Sequence, residues 1–559
     1  MTEKELIELS YQLAELPSPQ HRAGLAGLVL MVQDIKKQEI LQYYQSALLD
    51  LDNLDEFGVI IRFNLEGLKA LFDLTFGAFI EERSTETKIK DFDRIEEIEE
   101  KDDKGKIKIK KRYYYSVVTP QGAFLPYLDE SAEGNNGIWI KLWRDMYWSI
   151  IRGVPATRNP FNFRANKDYG AYSNDVVKQW TQLQNPDKTI GQSGNYYLGA
   201  MASNAENIPT KDNIAYQFLL NFSPFVFQVY RPTTIDKDGK REFGSYALAI
   251  PDVANLDRFC FSFPKLLKQR NNDKLGYSPK ESVIDLAEES ALNFFILEDR
   301  ISREIGEQST KKSILGVEVI HTEKVGNNVK FYGFNYLEPI TTQTDKYKQI
   351  KDKYWCPWFR KQRLKNLLNS IVYSDDQESK YEDIPPWFGF DDLLSRIPRK
   401  WLETGKDYFS HDARILFNEE ILNQQGVTEM SKNNTKIREY ASIVYQVCQS
   451  YVMGKLENKY ELKWDKIKGN SKLEKDYSDK KNKIANEAFL AVRSRTEKQA
   501  FIDYFVSTLY PFVKKEEFAQ FAEDLFNKTD EIRALTLLAL SSQFAISKED
   551  NKNTESKVA

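Results

Sequence analysis

Up to residue 429 the chain switches between the two-residue alternation of strands and the three-to-four-residue spacing of helices; beyond Met430 only the helical spacing remains. Leu16-Pro17-Ser18-Pro19 followed by Ala23-Gly24-Leu25-Ala26-Gly27-Leu28 predicts a helix entered through proline, with small residues three apart for close packing. Val59–Phe63 reads as a strand and Leu65–Phe72 as the helix after it. Trp139, Trp143, Tyr147 and Trp148 lie at helical spacing until Arg152-Gly153-Val154-Pro155 interrupts them, and Ala156–Lys167 then reads as a polar loop. Helix is expected from Ser282 to Ile305, and a hairpin joins Val317–Ile320 to Val329–Phe331 around Gly326-Asn327-Asn328. Near the end, Phe501, Tyr504, Phe505 and Leu509, then Phe518, Phe521 and Leu525, then Ile532, Leu535 and Leu538 mark successive amphipathic helices, the last after a Thr529-Asp530 cap signal. The expected fold class is α+β: a large N-terminal α+β body over residues 1–429, followed by an all-helical bundle over 430–559 whose tail frays from Ser547.

A length of 559 residues exceeds what one hydrophobic core usually holds, which agrees with two domains. Composition narrows the chemistry. Cys260, Cys356 and Cys448 are scattered without a C-x-x-C pair, which excludes a disulfide framework and a structural zinc site. Only His21, His321 and His411 are present, too few for histidine-rich metal chemistry. No Gly-rich phosphate loop and no G-x-S-x-G elbow occurs, so no cofactor is expected. Glu3, Glu5, Glu8 and Glu15 break the apolar character a signal peptide needs, and no apolar run is long enough for a bilayer. The expected location is cytoplasmic, with no membrane partner.

Net charge is only −4, but its distribution is uneven. Lys432 to Lys498 holds 16 Lys plus Arg against 9 Asp plus Glu, a local balance of +7 that leaves −11 elsewhere. Such a block suits a polyanion, because neutralised phosphates release counterions. Lys466, Lys468, Lys472, Lys475, Lys480, Lys481, Lys483, Arg493 and Arg495 are its candidate backbone contacts. The acidic counterpart, Glu81 to Asp103, turns into Lys104–Arg112 and reads as an exposed, solvated loop left by one hairpin strand.

Three stretches carry candidate chemistry. Arg158, Asn159, Asn162, Arg164 and Lys167 mix cations and amides with aromatics, a composition suited to phosphate and base contacts. Asn135 and Asn136, inside Glu133-Gly134-Asn135-Asn136-Gly137, form either a plain turn or a loop slim enough for a minor groove. His411-Asp412 matches the dipeptide of metal-dependent phosphohydrolases but lacks companion ligands, so a histidine packed under Trp401, Phe409 and Phe417 is preferred to a nuclease centre. Lys330-Phe331-Tyr332-Gly333-Phe334 partly matches a base-stacking strand, yet an aromatic strand facing a core is the preferred reading.

Leu16-Pro17-Ser18-Pro19-Gln20-His21-Arg22-Ala23-Gly24-Leu25-Ala26-Gly27-Leu28 resembles the opening of the large subunit of type I-B CRISPR effector complexes, cyanobacterial-type and transposon-associated ones included. The resemblance continues through Arg152–Arg158, Gly316–Val319, Trp401–Phe417 with its His411-Asp412-Ala413-Arg414, and Ala488–Arg495. It implies a non-enzymatic protein whose body reads the protospacer-adjacent motif beside the subunit gripping the guide's 5′ handle. The bundle would resemble the separate small subunit and stabilise the R-loop. Implied partners are the CRISPR guide RNA, target double-stranded DNA, the Cascade backbone, handle-binding and small subunits, and a helicase-nuclease or transposition adaptor. Two other readings stay open: a metal-dependent CRISPR nuclease and a general nucleic-acid-binding scaffold. Met430 is either a plain linker residue or the point where a second product, the bundle alone, would begin.

Overall fold

The computed structural model describes residues 6–101, 107–131, 137–191, 196–199, 211–304, 313–339, 341–372, 385–398, 400–401, 406–418, 432–512 and 518–544. Asn135, Asn136 and Met430 therefore lie outside the described residues. By compactness the chain divides into two units, one of residues 1–233 with 243–339, the other of 234–242 with 340–559.

The first unit opens with strand β1 (Ile7–Gln12), which pairs antiparallel with β3 (Gly58–Phe63); β2 (Leu49–Asp52) pairs with the other edge of β3. Between them runs α1 (Pro19–Lys37), capped by Ser18 with Pro19 in its first turn. The glycine spacing in α1 has a steric cause: a Cβ on Gly24 would come within 2.5 Å of the Leu219 carbonyl oxygen, and one on Gly27 within 2.3 Å of that of Phe222. The expected strand–helix pair appears as β3 followed by α2 (Leu65–Thr75), capped by Asn64.

The Glu81–Asp103 region differs from expectation. Instead of one strand leaving a solvated loop, it contributes two strands, β4 (Ala78–Thr85) and β5 (Arg94–Lys101), on either side of β6 (Ile107–Pro120). Opposite charges account for the pairing: Glu96 faces Arg112 and Glu97 faces Lys111 across β5 and β6, with Lys111 Nζ 3.3 Å from the Glu97 carboxylate. An acidic run and a basic run that each look solvated alone neutralise one another as neighbouring strands.

Helix α3 (Ile138–Met146) continues into a π-turn, Tyr147–Ile151, and Trp143 of α3 stacks on Tyr147 with ring centres 4.5 Å apart. The next segment is a correction: Ala156–Lys167 is not a loop but largely α4 (Pro155–Ala165), followed by α5 (Tyr169–Leu183). Pro155 starts α4, where a missing N–H costs nothing. The main sheet has five strands in the order β9–β7–β8–β10–β11, namely Val283–Ile284, Gln228–Pro232, Tyr246–Val253, Ile314–Val325 and Asn328–Leu337. All neighbours are antiparallel except β9 and β7. β7 and β8 are buried along their whole lengths, with α1 packed on β8 and α6 (Glu289–Glu304) on β8 and β10. The hairpin read around Gly326 is β10–β11, and Gly326 takes the positive φ of 62° that its turn requires.

The second unit is helical: α7 (Pro357–Val372), α8 (Phe390–Arg396), α9 (Lys406–Ile415), α10 (Lys432–Tyr460), α11 (Ser471–Arg493) and α12 (Thr529–Ser542) are its main members. Almost every residue of α12 is buried, and α8, α9, α10 and α11 all pack on it. Arg533 on α12 pairs with Asp391 on α8, and Arg414 on α9 donates to the carbonyls of Ser542 and Phe544. These bonds tie helices before residue 430 to helices after it, so the compact helical unit reaches further toward the N-terminus than the span 430–559. Thr529 begins α12, but its hydroxyl donates backward to the Leu525 carbonyl at 2.9 Å instead of capping.

Candidate nucleic-acid interface

In the helical unit, the apolar spacing of α11 decides which basic side chains stay in water. Tyr477, Ile484, Ala485, Ala488, Phe489 and Val492 are buried toward the bundle. At 100° per residue, Lys472, Lys475 and Lys483 fall on the opposite side. All three are exposed, as are Lys466 and Lys468 on the short helix and turn just before α11. None of these five makes an ion pair among the described residues. Five ammonium groups without carboxylate partners form a face suited to phosphates and indifferent to sequence.

Of the other four candidate cations, three have structural partners and the fourth, Lys481, is drawn to the packed side. Lys480 reaches Asp476 at 3.9 Å and lies 5.1 Å from the ring centre of Tyr460. Lys481 stands on the packed side of α11, where burial, and then the nearby Arg414, lowers its pKa. Arg493 donates to the Ile397 carbonyl, and burial lowers its pKa. Arg495 donates to the Ala491 carbonyl at 2.6 Å and lies 4.3 Å from the ring centre of Tyr504.

The α4 candidates divide in the same way. The Arg164 side chain is 6% exposed and bridges Asp73 and Asp175, at 2.8 Å each, tying α2, α4 and α5 together. Arg158 turns back on the preceding π-turn: it donates to the carbonyls of Arg152 (2.7 Å), Trp148 (3.3 Å) and Gly153 (3.4 Å), with its guanidinium 4.9 Å from the Trp148 ring centre. Asn159 and Lys167 are exposed and Asn162 half-buried. Lys167, at φ 55°, ends the turn after α4.

The other sequence candidates are used for packing. Asp412 is fully buried and accepts from the backbone N–H groups of Trp355 (3.0 Å) and Cys356 (2.7 Å), which fixes the entry to α7. Burial pushes its pKa up against those bonds and the bond to His411. The His411 ring stacks on Trp355 with centres 3.7 Å apart, a partner not among the three aromatics expected. Among the described residues, no group of three or more His, Cys, Asp or Glu is placed to hold a metal ion. Tyr332, Phe334 and Tyr336 correct the expectation of a strand facing a core: they are 40–53% exposed on β11, the edge strand, where the register shifts opposite His321 and Thr322. Two of their tips are nevertheless fixed, Tyr332 Oη to Glu323 at 2.5 Å and Tyr336 Oη to Asp252 at 2.7 Å.

Two buried features had no clear sequence signal. Ser18 Oγ lies 2.7 Å from His21 Nδ1, and His21 Nε2 lies 2.7 Å from Asp212 Oδ2, with all three residues buried. The order resembles a nucleophilic relay, but Ser18 caps α1 by accepting from the His21 backbone N–H. The cluster acts as a clamp between α1 and the segment beginning at Lys211. Among the described residues Arg152 is the largest fully buried side chain; its guanidinium stands 4.9–5.8 Å from the ring centres of Tyr196, Tyr147 and Phe76. Among the described residues no carboxylate pairs with it, and the Tyr147 hydroxyl is the polar group that it acts on.

Two family models match nearly end to end: the type I-B CRISPR Cas8b N-terminal domain over residues 48–307 and the Cas8b C-terminal domain over residues 314–543. No curated protein matches the chain.

Proposed function

Because the chain belongs to the Cas8b family, the large subunits of type I-B CRISPR Cascade complexes, we propose that it serves without catalysis in RNA-guided recognition of target DNA. In this reading it recognises the protospacer-adjacent motif and stabilises the R-loop between guide RNA and target. The observation that carries the reading is the lysine face formed by Lys466, Lys468, Lys472, Lys475 and Lys483, whose charges remain exposed without partners among the described residues. Guide pairing supplies the long sequence specificity, so the protein needs only a phosphate-binding face and a short motif reader. Asn159, Asn162 and Lys167, together with Asn135 and Asn136, are the residues proposed for motif contact. The guide RNA, target double-stranded DNA, the backbone, handle-binding and small subunits, and a helicase-nuclease or transposition adaptor complete the partner set.

The test is target binding by the guide-loaded complex across a salt series. Replacing Lys466, Lys468, Lys472 and Lys475 by Gln is expected to flatten the dependence of log affinity on log salt by about 0.7 to 0.9 per lost phosphate contact. The loss should be equal for every flanking motif, since phosphate contacts carry no sequence information. An unchanged slope in a complex that still assembles would remove these lysines from the interface.

A further inference from the structure

A second basic feature lies in the α+β unit, and the lysine face does not account for it. Where β4, β6, β8 and β10 meet the π-turn and α4, a cleft of about 220 Å³ opens to the surface. Arg83, Arg144, Arg158 and Lys324 line it, with Asp145 as the one carboxylate and Trp148 as an aromatic wall. These residues come from four separate stretches of chain, so no local run of sequence announces the cluster.

Four cations line the cleft with one carboxylate. Arg83 is shared between Glu81 at 3.0 Å and Asp145 at 3.7 Å, and Glu81 together with Asp129 also acts on Arg144. Arg158 is held entirely by backbone carbonyls, which orient a guanidinium without neutralising it. Arg144 is buried, donates to the Gln121 carbonyl at 2.8 Å and lies 5.2 Å from the Phe79 ring centre. Burial pushes its pKa down to about 10, which leaves it charged at neutral pH. Lys324 is exposed at the mouth and makes no ion pair among the described residues. Burial raises the Asp145 pKa above the ordinary carboxylate value, against the pull of Arg83 and Arg231.

We infer that this cleft is a phosphate subsite, taking one phosphodiester of a nucleic-acid strand that crosses the body. The inference rests on the function proposed above and adds a second contact to it. Size points to the same occupant. At roughly 30 Å³ per water the cleft holds a hydrated phosphate and part of its sugar, but it falls below the roughly 300 to 1,000 Å³ of pockets that enclose a whole small molecule. Guanidinium groups held in fixed orientations match the geometry of phosphate oxygens, and the flexible lysine at the mouth supplies a point charge.

The guide-loaded complex provides the test, with variants Arg83→Gln and Lys324→Gln chosen because both side chains are exposed enough to change without emptying the core. The double variant is expected to assemble normally and to flatten the salt dependence of target binding by about 0.7 for a single-stranded phosphate contact. Discrimination between flanking motifs should not change. In parallel, p-benzoylphenylalanine at position 324, with guide and each DNA strand separately labelled, should crosslink to one of them and so identify the strand. A wild-type slope, or a crosslink to protein alone, overturns the subsite while leaving guide-dependent binding in place. Absence of guide-dependent binding in the wild-type complex would overturn the functional reading and this subsite with it.

Discussion

Helices α4 and α11 both carry cations beside aromatic residues, yet the fold uses them differently. In α4, Arg158 folds back on three backbone carbonyls at the edge of the cleft, and Arg164 turns inward to two carboxylates. In α11, Lys472, Lys475 and Lys483 stand opposite the buried Tyr477–Val492 stripe and make no ion pair among the described residues. Composition does not separate the two cases; periodicity does. A cation opposite an apolar helical stripe is left to solvent, whereas an arginine in a short helix against Trp, Phe and Asp is drawn into packing. Guanidinium forks satisfy several acceptors at once, which makes arginine the usual choice for such ties.

The largest expected effect tests the inward half of this comparison. Arg164→Ala leaves Asp73 and Asp175 facing one another without their shared cation, and breaking a partly buried pair of this kind costs about 3 kcal/mol or more. Denaturant midpoint should fall accordingly, and nucleic-acid binding should fall only as far as the folded fraction does. Retained stability with lost target affinity would place Arg164 at the interface and reverse the comparison.

Next in size is the outward half. The triple variant Lys472→Gln, Lys475→Gln and Lys483→Gln should flatten the salt dependence of target binding by about 2, taking each lysine as one single-strand phosphate contact. Its melting temperature should barely move, since exposed substitutions of this kind usually stay within about 0.5 kcal/mol. A large stability loss without a change in slope would make these lysines part of the scaffold.

Arg152 sharpens the comparison from a third direction, because it is inward-facing without a carboxylate. Arg152→Met replaces a buried charge by a side chain of similar length, and such exchanges are often neutral or stabilising. The expected gain in unfolding free energy is about 1 kcal/mol, read from the denaturant midpoint. A loss instead would mean that its contacts with Phe76, Tyr147 and Tyr196 outweigh the desolvation of the guanidinium.

Much of the fold was legible wherever pattern and steric need coincide. The Gly24 and Gly27 spacing announced the close approach to Leu219 and Phe222, and the Gly326 turn announced the β10–β11 hairpin. The helices after Met430 followed their apolar periods. What stayed hidden depends on partners distant in sequence. The acidic strands β4 and β5 take shape against the basic strand β6, and His21 meets Asp212 across 191 positions. Reading Ala156–Lys167 as a loop took the break at Arg152-Gly153-Val154-Pro155 for the end of helical structure, whereas Pro155 starts α4 and Pro160 is accommodated within it. For the candidate interface, the sequence located the basic block but not which of its members face water. It gave no sign of the cleft, whose cations come from β4, α3, α4 and β10.

The smallest effect expected is at Lys481, the one lysine of α11 drawn toward the packed side. Its folded pKa is below the ordinary value of 10.5, chiefly through burial and then through Arg414. The sign of the linkage follows. Between the folded and unfolded pKa values the unfolded chain binds more protons, so this group's contribution to stability becomes more favourable as pH rises through that window. Below the folded pKa both states are protonated, and the whole penalty of holding an ammonium group in a poorly solvated place remains. Lys481→Met removes the charge and keeps the stem that covers the helix face. At neutral pH the variant should therefore be slightly more stable than the parent, by no more than about 1 kcal/mol, because the side chain is only partly buried. That advantage should shrink as pH approaches 10.5, while Lys483→Met, on the exposed side of the same helix, should show neither the gain nor its pH dependence. Denaturant melts of both variants at neutral and alkaline pH give the comparison directly. A pH-independent gain at Lys481 would mean that improved apolar packing, not relief of a buried charge, separates the two faces of α11.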